Sequence, residues 1–480
     1  MITSKLVATI SVICLGSFQF GYHMAELNLP ESILSCEVSK PGRIPYEESW
    51  FGSRGFSRCI PLTTLQVGMV TSIFGIGGLV GSLYIGSVSD KYGRKRASLV
   101  HCLLYLIGST MNGTANGYWT IVLGRFIAGL GAGAALVITS IFINEIAPTN
   151  YKGAMGAMNQ ASVNLGILFT QVLALAWCDN NQWRKLLLMG SVVGLLEFVA
   201  VLLIIDESPM WLANNGHTNE AFTIIHKLRG GDYTLARNEV KSWRLPGANG
   251  DEEEAVPLTE LENSVQSLAQ VPLKNYLTSR EYNNSKVVGT GILVLQQFCG
   301  INSIIFYGVS VLVSIFPNYA IMINCLISVV NVVVTFIAAP LVDRLGRKPL
   351  LLTSVSAMAV LTVLMGFGII GTNSVLSIVG TFAYITFFAL GLGPIPFLIV
   401  SEVTQPTAKA LAQSWGMTMN WLATFVVGFL FPLLKSSWIG GGVYFIFTFM
   451  CVVAFLFVKK YVPETKGTSS YDEVWKGRQM

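Results

Sequence analysis

Residues 90–96 read DKYGRKR and residues 343–349 read DRLGRKP, the same acidic, basic, Gly, Arg, Lys frame 253 residues apart. Two more pairs follow in the same order. NEIAPTNYKG at 144–153 corresponds to SEVTQPTAKA at 401–410, and DESP at 206–209 to PETK at 463–466, each offset by 257 residues. Three features recurring in order at nearly one spacing mark a duplicated unit. What each unit contains follows from the residues between the motifs.

Those residues are mostly apolar. The chain has 480 residues, 52% hydrophobic and only 12% charged, with a mean hydropathy of +0.59, against about 25% charge for a soluble globular chain. Apolar stretches of about 20 residues recur, the length that crosses a bilayer core of roughly 30 Å. Twelve spans are expected, six per unit: 6–27, 64–87, 97–114, 119–141, 154–177, 185–206, 287–314, 318–341, 350–371, 375–400, 411–434 and 440–460. The first reads as a span and not as a cleaved leader, because only MITSK precedes it and no small-residue cleavage site follows. The expected organisation is a first half at 1–206, a linker of short cytosolic helices at 207–282, a second half at 283–462 and a short tail at 463–480. Two such halves enclosing a site near the bilayer midplane is a transporter plan.

Lys and Arg in short loops set orientation. The loops at 88–96 and 342–349 carry four and three of them and fall on one side, with Lys152, Lys409, the linker and the tail. That side is expected to be cytosolic, with both termini. The net charge of +5 resides in these loops and implies no nucleic-acid partner; the acidic DEEE at 251–254 reads as a solvated run. Cys36 and Cys59 lie in the long loop 31–63 on the opposite side, where disulfides persist, and either pair or remain free. The other six cysteines lie in or beside spans and read as packing residues. No metal, phosphate-loop or nucleophile pattern emerges, so no cofactor and no catalytic residue is expected.

DKYGRKR, GRFIAGLGAG, NEIAP, DESP, QQFCGIN, DRLGRKP, GLGPIP and PETKG, in that order over nearly the whole chain, resemble the signatures of the sugar porter branch of the major facilitator superfamily. QFGYHMAELNLP at 19–30 is similar to a fungal subgroup linked to the vacuolar membrane. The resemblance implies an all-α polytopic membrane protein, twelve helices in two pseudo-symmetric halves. It would be no enzyme but a monomeric carrier of a monosaccharide, a hexose foremost, by alternating access. A polyol or inositol carrier on the same scaffold, or a non-transporting sensor or trafficking protein, are the rival readings; the short tail counts against a sensor.

By the same resemblance, the sugar site draws on Phe20 in the first span, Gln160 and Ile167 in the fifth, and Gln296, Gln297 and Asn302 in the seventh. Asn331 in the eighth, Phe388 and Phe397 in the tenth, and Asn420 and Trp421 in the eleventh complete it. The chemistry agrees: a neutral polyol needs donors and acceptors together, which amides supply, and such groups are costly in lipid unless they face a cavity. A single amide could equally be interhelical glue. The GLGPIP segment, rich in Pro and Gly, is either a gating hinge or a static kink.

The charged loops, Asp90, Arg94, Asp343 and Arg347 with Glu145, Lys152, Glu402, Lys409, Glu207 and Glu464, would form cytosolic ion pairs that hold the halves together when the site opens outward. Lys152 and Lys409 stand where the family usually has Arg, Met210 where it has another Arg, and Phe397 where it has Trp. A lysine cannot make the bidentate fork, so a weaker latch is expected. His23 occupies the first-span position where proton-coupled members tend to carry Asp and passive ones Asn, with Arg125 as its basic neighbour. His titrates readily near neutrality. His23 is therefore a proton-coupling group or a fixed hydrogen-bonding one, and Arg125 is coupling machinery or an anchor for helix carbonyls.

Overall fold

A computed structural model describes residues 3–28, 30–40, 42, 44–148, 151–242, 273–313, 316, 319–405, 408–467 and 471–476. The acidic run 251–254 lies outside them. The first half comprises α1 (Ser4–Ala25), α2 (Thr64–Tyr92), α3 (Arg94–Gly113), α4 (Tyr118–Ile146), α5 (Lys152–Trp177) and α6 (Trp183–Ile204). The second comprises α7 (Asn283–Phe298) and α8 (Ile301–Val313), which share one span, then α9 (Ala320–Leu345) and α10 (Arg347–Ile370). It ends with α11 (Ser374–Phe387), continued after a π turn by α12 (Ile395–Glu402), then α13 (Lys409–Ser436) and α14 (Val443–Tyr461).

Eleven of the described helical stretches are long and apolar enough to cross a bilayer. The remaining one is α3. It opens on Arg94, Lys95 and Arg96, which lowers its apolarity, yet it runs 20 residues and packs between α4 and α6. It therefore takes the third place in a twelve-span bundle. The outward faces carry large apolar side chains such as Leu196, Leu203, Val360 and Phe449, all well exposed. Lipid, unlike water, makes such a surface free of cost.

Local chemistry sets the helix ends. Thr63 accepts from the backbone of Gln66 while the Gln66 side chain accepts from Thr63, a capping box that starts α2. The turn into α3 and the turn into α10 pivot on Gly93 and Gly346, at φ +96° and +95°, a conformation open to glycine. The two repeated motifs thus fold to the same backbone geometry. α2 and α4 approach so closely that a Cβ on Gly77 or Gly129 would overlap the facing backbone, the small-residue packing available to helices in lipid.

The halves meet along two seams, α2 against α13 and α5 against α9. At the end of the bundle carrying the Cys36–Cys59 disulfide, whose Cα atoms are 5.4 Å apart, the halves are also joined by Asn28. Its side chain accepts from Val309 N at 3.0 Å and donates to Ile304 O at 3.4 Å, both in α8. The short helices Pro209–Asn214, Thr218–Leu228 and Tyr233–Ser242 dock on the opposite face of the first half, which also carries the N-terminus. Trp211 donates to Asp90 O at 2.8 Å and Arg229 to Ile146 O at 3.0 Å. The tail helix Tyr471–Trp475 docks on the second half, Trp475 donating to Val403 O at 3.1 Å. We call these ends the disulfide face and the termini face.

Candidate functional site

The second half gathers its amides around a broken helix. In the tenth span Pro396 has no N–H to donate to Leu392 O four residues back, so that carbonyl needs another partner. Gln296 supplies it, its Nε2 donating to Leu392 O at 2.7 Å and Gly393 O at 3.0 Å. The Gln296 Oε1 accepts from Gln297 and from Asn420, both at 3.2 Å. Asn302 then donates to Gln297 Oε1 at 2.6 Å. It reaches back because α7 and α8 are separated at Gly300, φ +100°. All four amides are buried. Gln296 uses both hydrogens and its acceptor within the protein, so it ties α7 to the tenth span, and Gln297 and Asn302 keep hydrogen-bonding capacity to spare.

Aromatic rings from both halves adjoin this network. Next to Asn420 on α13, Trp421 meets Phe20 edge to face, centroids 5.6 Å apart, and Phe74 at 6.1 Å. The buried Trp421 Nε1 has no partner. Phe388 sits in the π turn, close to Gly393, and Phe397 is half-buried on α12. From the first half, Ile167 forms a buried cluster with Ala25 and Val163, against which Phe20, Leu136 and, from α8, Ile305 pack. Gln160 donates to Asn164 at 3.4 Å, and Asn164 bonds across the seam to Thr335 Oγ1 at 2.8 Å and to Asn331 at 3.5 Å. In this state Asn331 is a tie between halves.

Glu26, which is not among the residues expected from the sequence, joins Arg125 to His23. His23 Nδ1 lies 2.9 Å from Glu26 Oε2, and Arg125 Nη1 donates to Glu26 Oε1 at 2.6 Å and to the His23 carbonyl at 2.8 Å. All three are fully buried. The signal was present in QFGYHMAELNLP: Glu26 is three residues after His23 and so on the same helix face. The guanidinium carbon of Arg125 lies 4.5 Å from the Phe74 ring centroid, a cation–π contact. Phe74 is therefore shared between this triad and the Phe20–Trp421 cluster.

The repeated loops build the same motif twice. In the first half Arg94 pairs with Glu145 at 2.7 Å and Asp90 at 3.0 Å, while Glu207 accepts from the backbone N of Arg94 and Lys95 at 2.7 and 3.1 Å. In the second, Arg347 pairs with Glu402 at 3.0 Å and Glu464 accepts from the N of Arg347 and Lys348 at 2.9 and 3.0 Å. Each glutamate after a sixth span thus caps the first turn of a helix, where free N–H groups favour an anion. Every one of these contacts stays within one half. The bridging of halves was expected for the outward-open state. Lys409 is exposed, and the side chains of Lys152 and Asp343 lie outside the described residues.

Comparison with known proteins identifies the family. The family model described as sugar (and other) transporter matches residues 9–475. A probable metabolite transport protein of Saccharomyces cerevisiae is 45% identical over 99% of this chain and 96% of its own. Vacuolar protein sorting-associated protein 73 of the same yeast is 39% identical over 97% and 95%, and the human facilitated glucose transporter member 4 is 30% identical over 98% and 90%. Among solved structures, the partially occluded inward-open xylose transporter XylE of E. coli superimposes with a TM-score of 0.75 at 23% identity, covering 96% of this chain and 100% of that one. The chain, an integral membrane protein of twelve helices in two halves, belongs to the sugar transporter family of the major facilitator superfamily.

Proposed function

We propose that the protein carries a monosaccharide, a hexose foremost, by alternating access, and that it couples the sugar to protons through Glu26, His23 and Arg125. The observation that carries this is the single ring of Phe74, which adjoins the Arg125 guanidinium as well as Trp421 and Phe20. The amides Gln297, Asn302 and Gln160 would meet hydroxyls, and Trp421 would cover a sugar C–H face and offer its unpaired Nε1. A proton added to the triad changes the charge opposite Arg125. The guanidinium's hold on Phe74 changes with it, and so does the packing under Trp421.

The family supports sugar as the substrate class, and a relative named for glucose transport supports a hexose. By the Lys and Arg of its loops the termini face is cytosolic, and the disulfide face is exoplasmic or luminal. The relative named for vacuolar protein sorting supports a vacuolar membrane. Asn28 joins the two halves at the disulfide face, which supports a state closed on that side.

The test is labelled hexose uptake into proteoliposomes, with and without an imposed pH gradient, for the wild type, Glu26→Gln and His23→Asn. With one proton per sugar, one pH unit sustains about tenfold accumulation. The wild type accumulates sugar, and Glu26→Gln only equilibrates it. If the wild type also only equilibrates, the triad is structural and the protein a facilitator. Competition by unlabelled polyols separates the inositol carrier reading.

A further inference from the structure

The first half holds a second sealed cluster of titratable groups, one that the sugar site does not touch. Glu197 on α6 is buried, and its Oε2 accepts from Gln19 Nε2 of α1 at 2.7 Å. Its Oε1 lies 3.8 Å from His101 Nδ1 on α3, itself 3.8 Å from Cys102 Sγ. The ligating atoms of His101, Cys102 and Glu197 all lie within 4.8 Å of one another. From the packed elements, α3 presents His101, Cys102 and Tyr105, α1 presents Gln19 and Gly16, and α4 presents Ala135. No Lys, Arg or Asp among the described residues pairs with the carboxylate. A carboxylate sealed from water must be neutralised by a proton or a partner cation. Among the described residues His101 is the one candidate cation beside it, and a single proton held by the pair would neutralise the carboxylate.

This cluster lies below the Glu26 triad and is connected to it. Glu197 is seven residues from the termini-face end of α6 and His101 seven from that of α3, about 10 Å in from that face. His23 sits two residues from the other end of α1. Tyr105 spans the interval. Its ring stacks on His23, centroids 4.9 Å apart at 16°, and meets His101 edge to face at 6.1 Å. Its hydroxyl donates to Gly16 O at 3.2 Å, and the Cβ position of Gly16 is 3.1 Å from the His101 ring and 3.2 Å from Glu197. Ser109 on α3 reaches His23 Nε2 at 3.3 Å. Gln19 is one turn below His23, and its buried Oε1 has no hydrogen-bond partner. An unpaired acceptor between two proton-holding groups is a place where a proton carrier gains a bond.

We propose that Glu197 and His101 form a second proton-binding station, through which the first half passes its proton from the Glu26 triad toward the termini face. One proton enters at Glu26 or His23, a proton is released from the Glu197–His101 pair to water at the termini face, and transfer between the two restores both sites. No net charge remains in the membrane. The proposal rests on the coupling reading above only for the origin of the proton.

Two readouts test it. Infrared difference spectra of the purified protein report a sealed carboxylic acid as a C=O band. We expect a band that responds to pH and to added hexose, vanishes in Glu197→Gln and moves in His101→Gln. In proteoliposomes we expect gradient-driven accumulation to fall about tenfold per pH unit of gradient in Glu197→Gln, while Cys102→Ala behaves as the parent. If Glu197→Gln does not fold, the band position in His101→Gln and Glu197→Asp decides. A spectrum without such a band, or a parent that accumulates sugar and a Glu197→Gln variant that accumulates it equally, overturns the proposal. If the wild type accumulates no sugar the coupling reading falls alone; the pH-dependent band then still supports the station, and its absence removes both.

Discussion

Replacing Gly78 by alanine should open the disulfide face. Gly78 lies midway along α2, under the seam with α13, and a Cβ there would be 2.7 Å from three ring carbons of Trp421. The ring cannot yield freely, since Phe20 and Phe74 abut it. Overpacking of this kind costs about 1–3 kcal/mol. The cost falls on the state in which α2 and α13 are in contact here and vanishes where they part. The equilibrium should therefore move by about 5- to 150-fold toward the state open at the disulfide face. Ser72→Cys reports it: Ser72 is buried in the same seam, its Cβ 3.5 Å from the Cβ position of Gly428. The background is low, because Cys36 and Cys59 are bonded and the six remaining cysteines are buried. An impermeant maleimide applied from the disulfide face should label Ser72→Cys faster in the Gly78→Ala background by that factor. An unchanged rate in a variant that melts like its parent refutes the reasoning.

Glu31, between α1 and the disulfide loop, has a sealed Oε2 without a hydrogen-bond partner. Burial pushes its carboxyl from the ordinary 4.5 up to about 8, with Lys435 drawing it back and Glu37 adding to the rise. If opening returns Glu31 to water, closing takes up a proton between about pH 4.5 and about pH 8. Acid then favours the closed disulfide face and alkali the open one, up to tenfold per pH unit; because maleimide attacks the thiolate, the readout is the labelling rate of Ser72→Cys divided by its rate in the Glu31→Gln background at the same pH, which should rise with pH, and a ratio that stays flat rules Glu31 out. Gln296→Ala strips the donor from two buried carbonyls, at about 1–3 kcal/mol each, so glucose binding and melting temperature should fall together. In Gln297→Ala binding should weaken while melting falls less than in Gln296→Ala, because the change unpairs one donor, Asn302 Nδ2, and leaves Gln296 Oε1 still bonded to Asn420; calorimetry and thermal melts separate the two. The Cys36–Cys59 bond closes a loop of 23 residues, which corresponds to about 3 kcal/mol of chain entropy; Cys36→Ser with Cys59→Ser should melt lower than wild type by an amount that reductant reproduces, and equal melting points would show that the loop is held by its other contacts.

What could be read from the sequence divides by how each feature is encoded. The Arg94–Glu145–Glu207 motif and its counterpart Arg347–Glu402–Glu464 are each written in short segments that occur twice, so their common geometry was legible before any contact was known. The amides of the seventh and eleventh spans were legible because Gln296, Gln297 and Asn420 are conspicuous among apolar neighbours. What those amides do was not. That Gln296 serves Leu392 and Gly393 depends on where the break at Pro396 falls against α7, and no spacing in one segment encodes a contact between segments 96 residues apart.

The buried charges of the first half show the same limit more sharply. Glu26 could have been found, since its partner is three residues away. Glu197, His101 and Gln19 could not: they lie in three different spans, and a polar residue in lipid reads equally well as glue between helices. Only packing brings α1, α3 and α6 together at one level, and there the small side chains decide. Gly16 and Gly194 line the contact, the Cβ position of Gly194 lying 3.5 Å from Gln19 Nε2. A larger residue at either position would press the cluster apart. Gly16→Leu should thus abolish the carboxyl band's response to hexose while leaving His23 and Glu26, about two and three turns further along the chain, in place. That variant separates a proton station created by helix packing from one inherent in the side chains themselves.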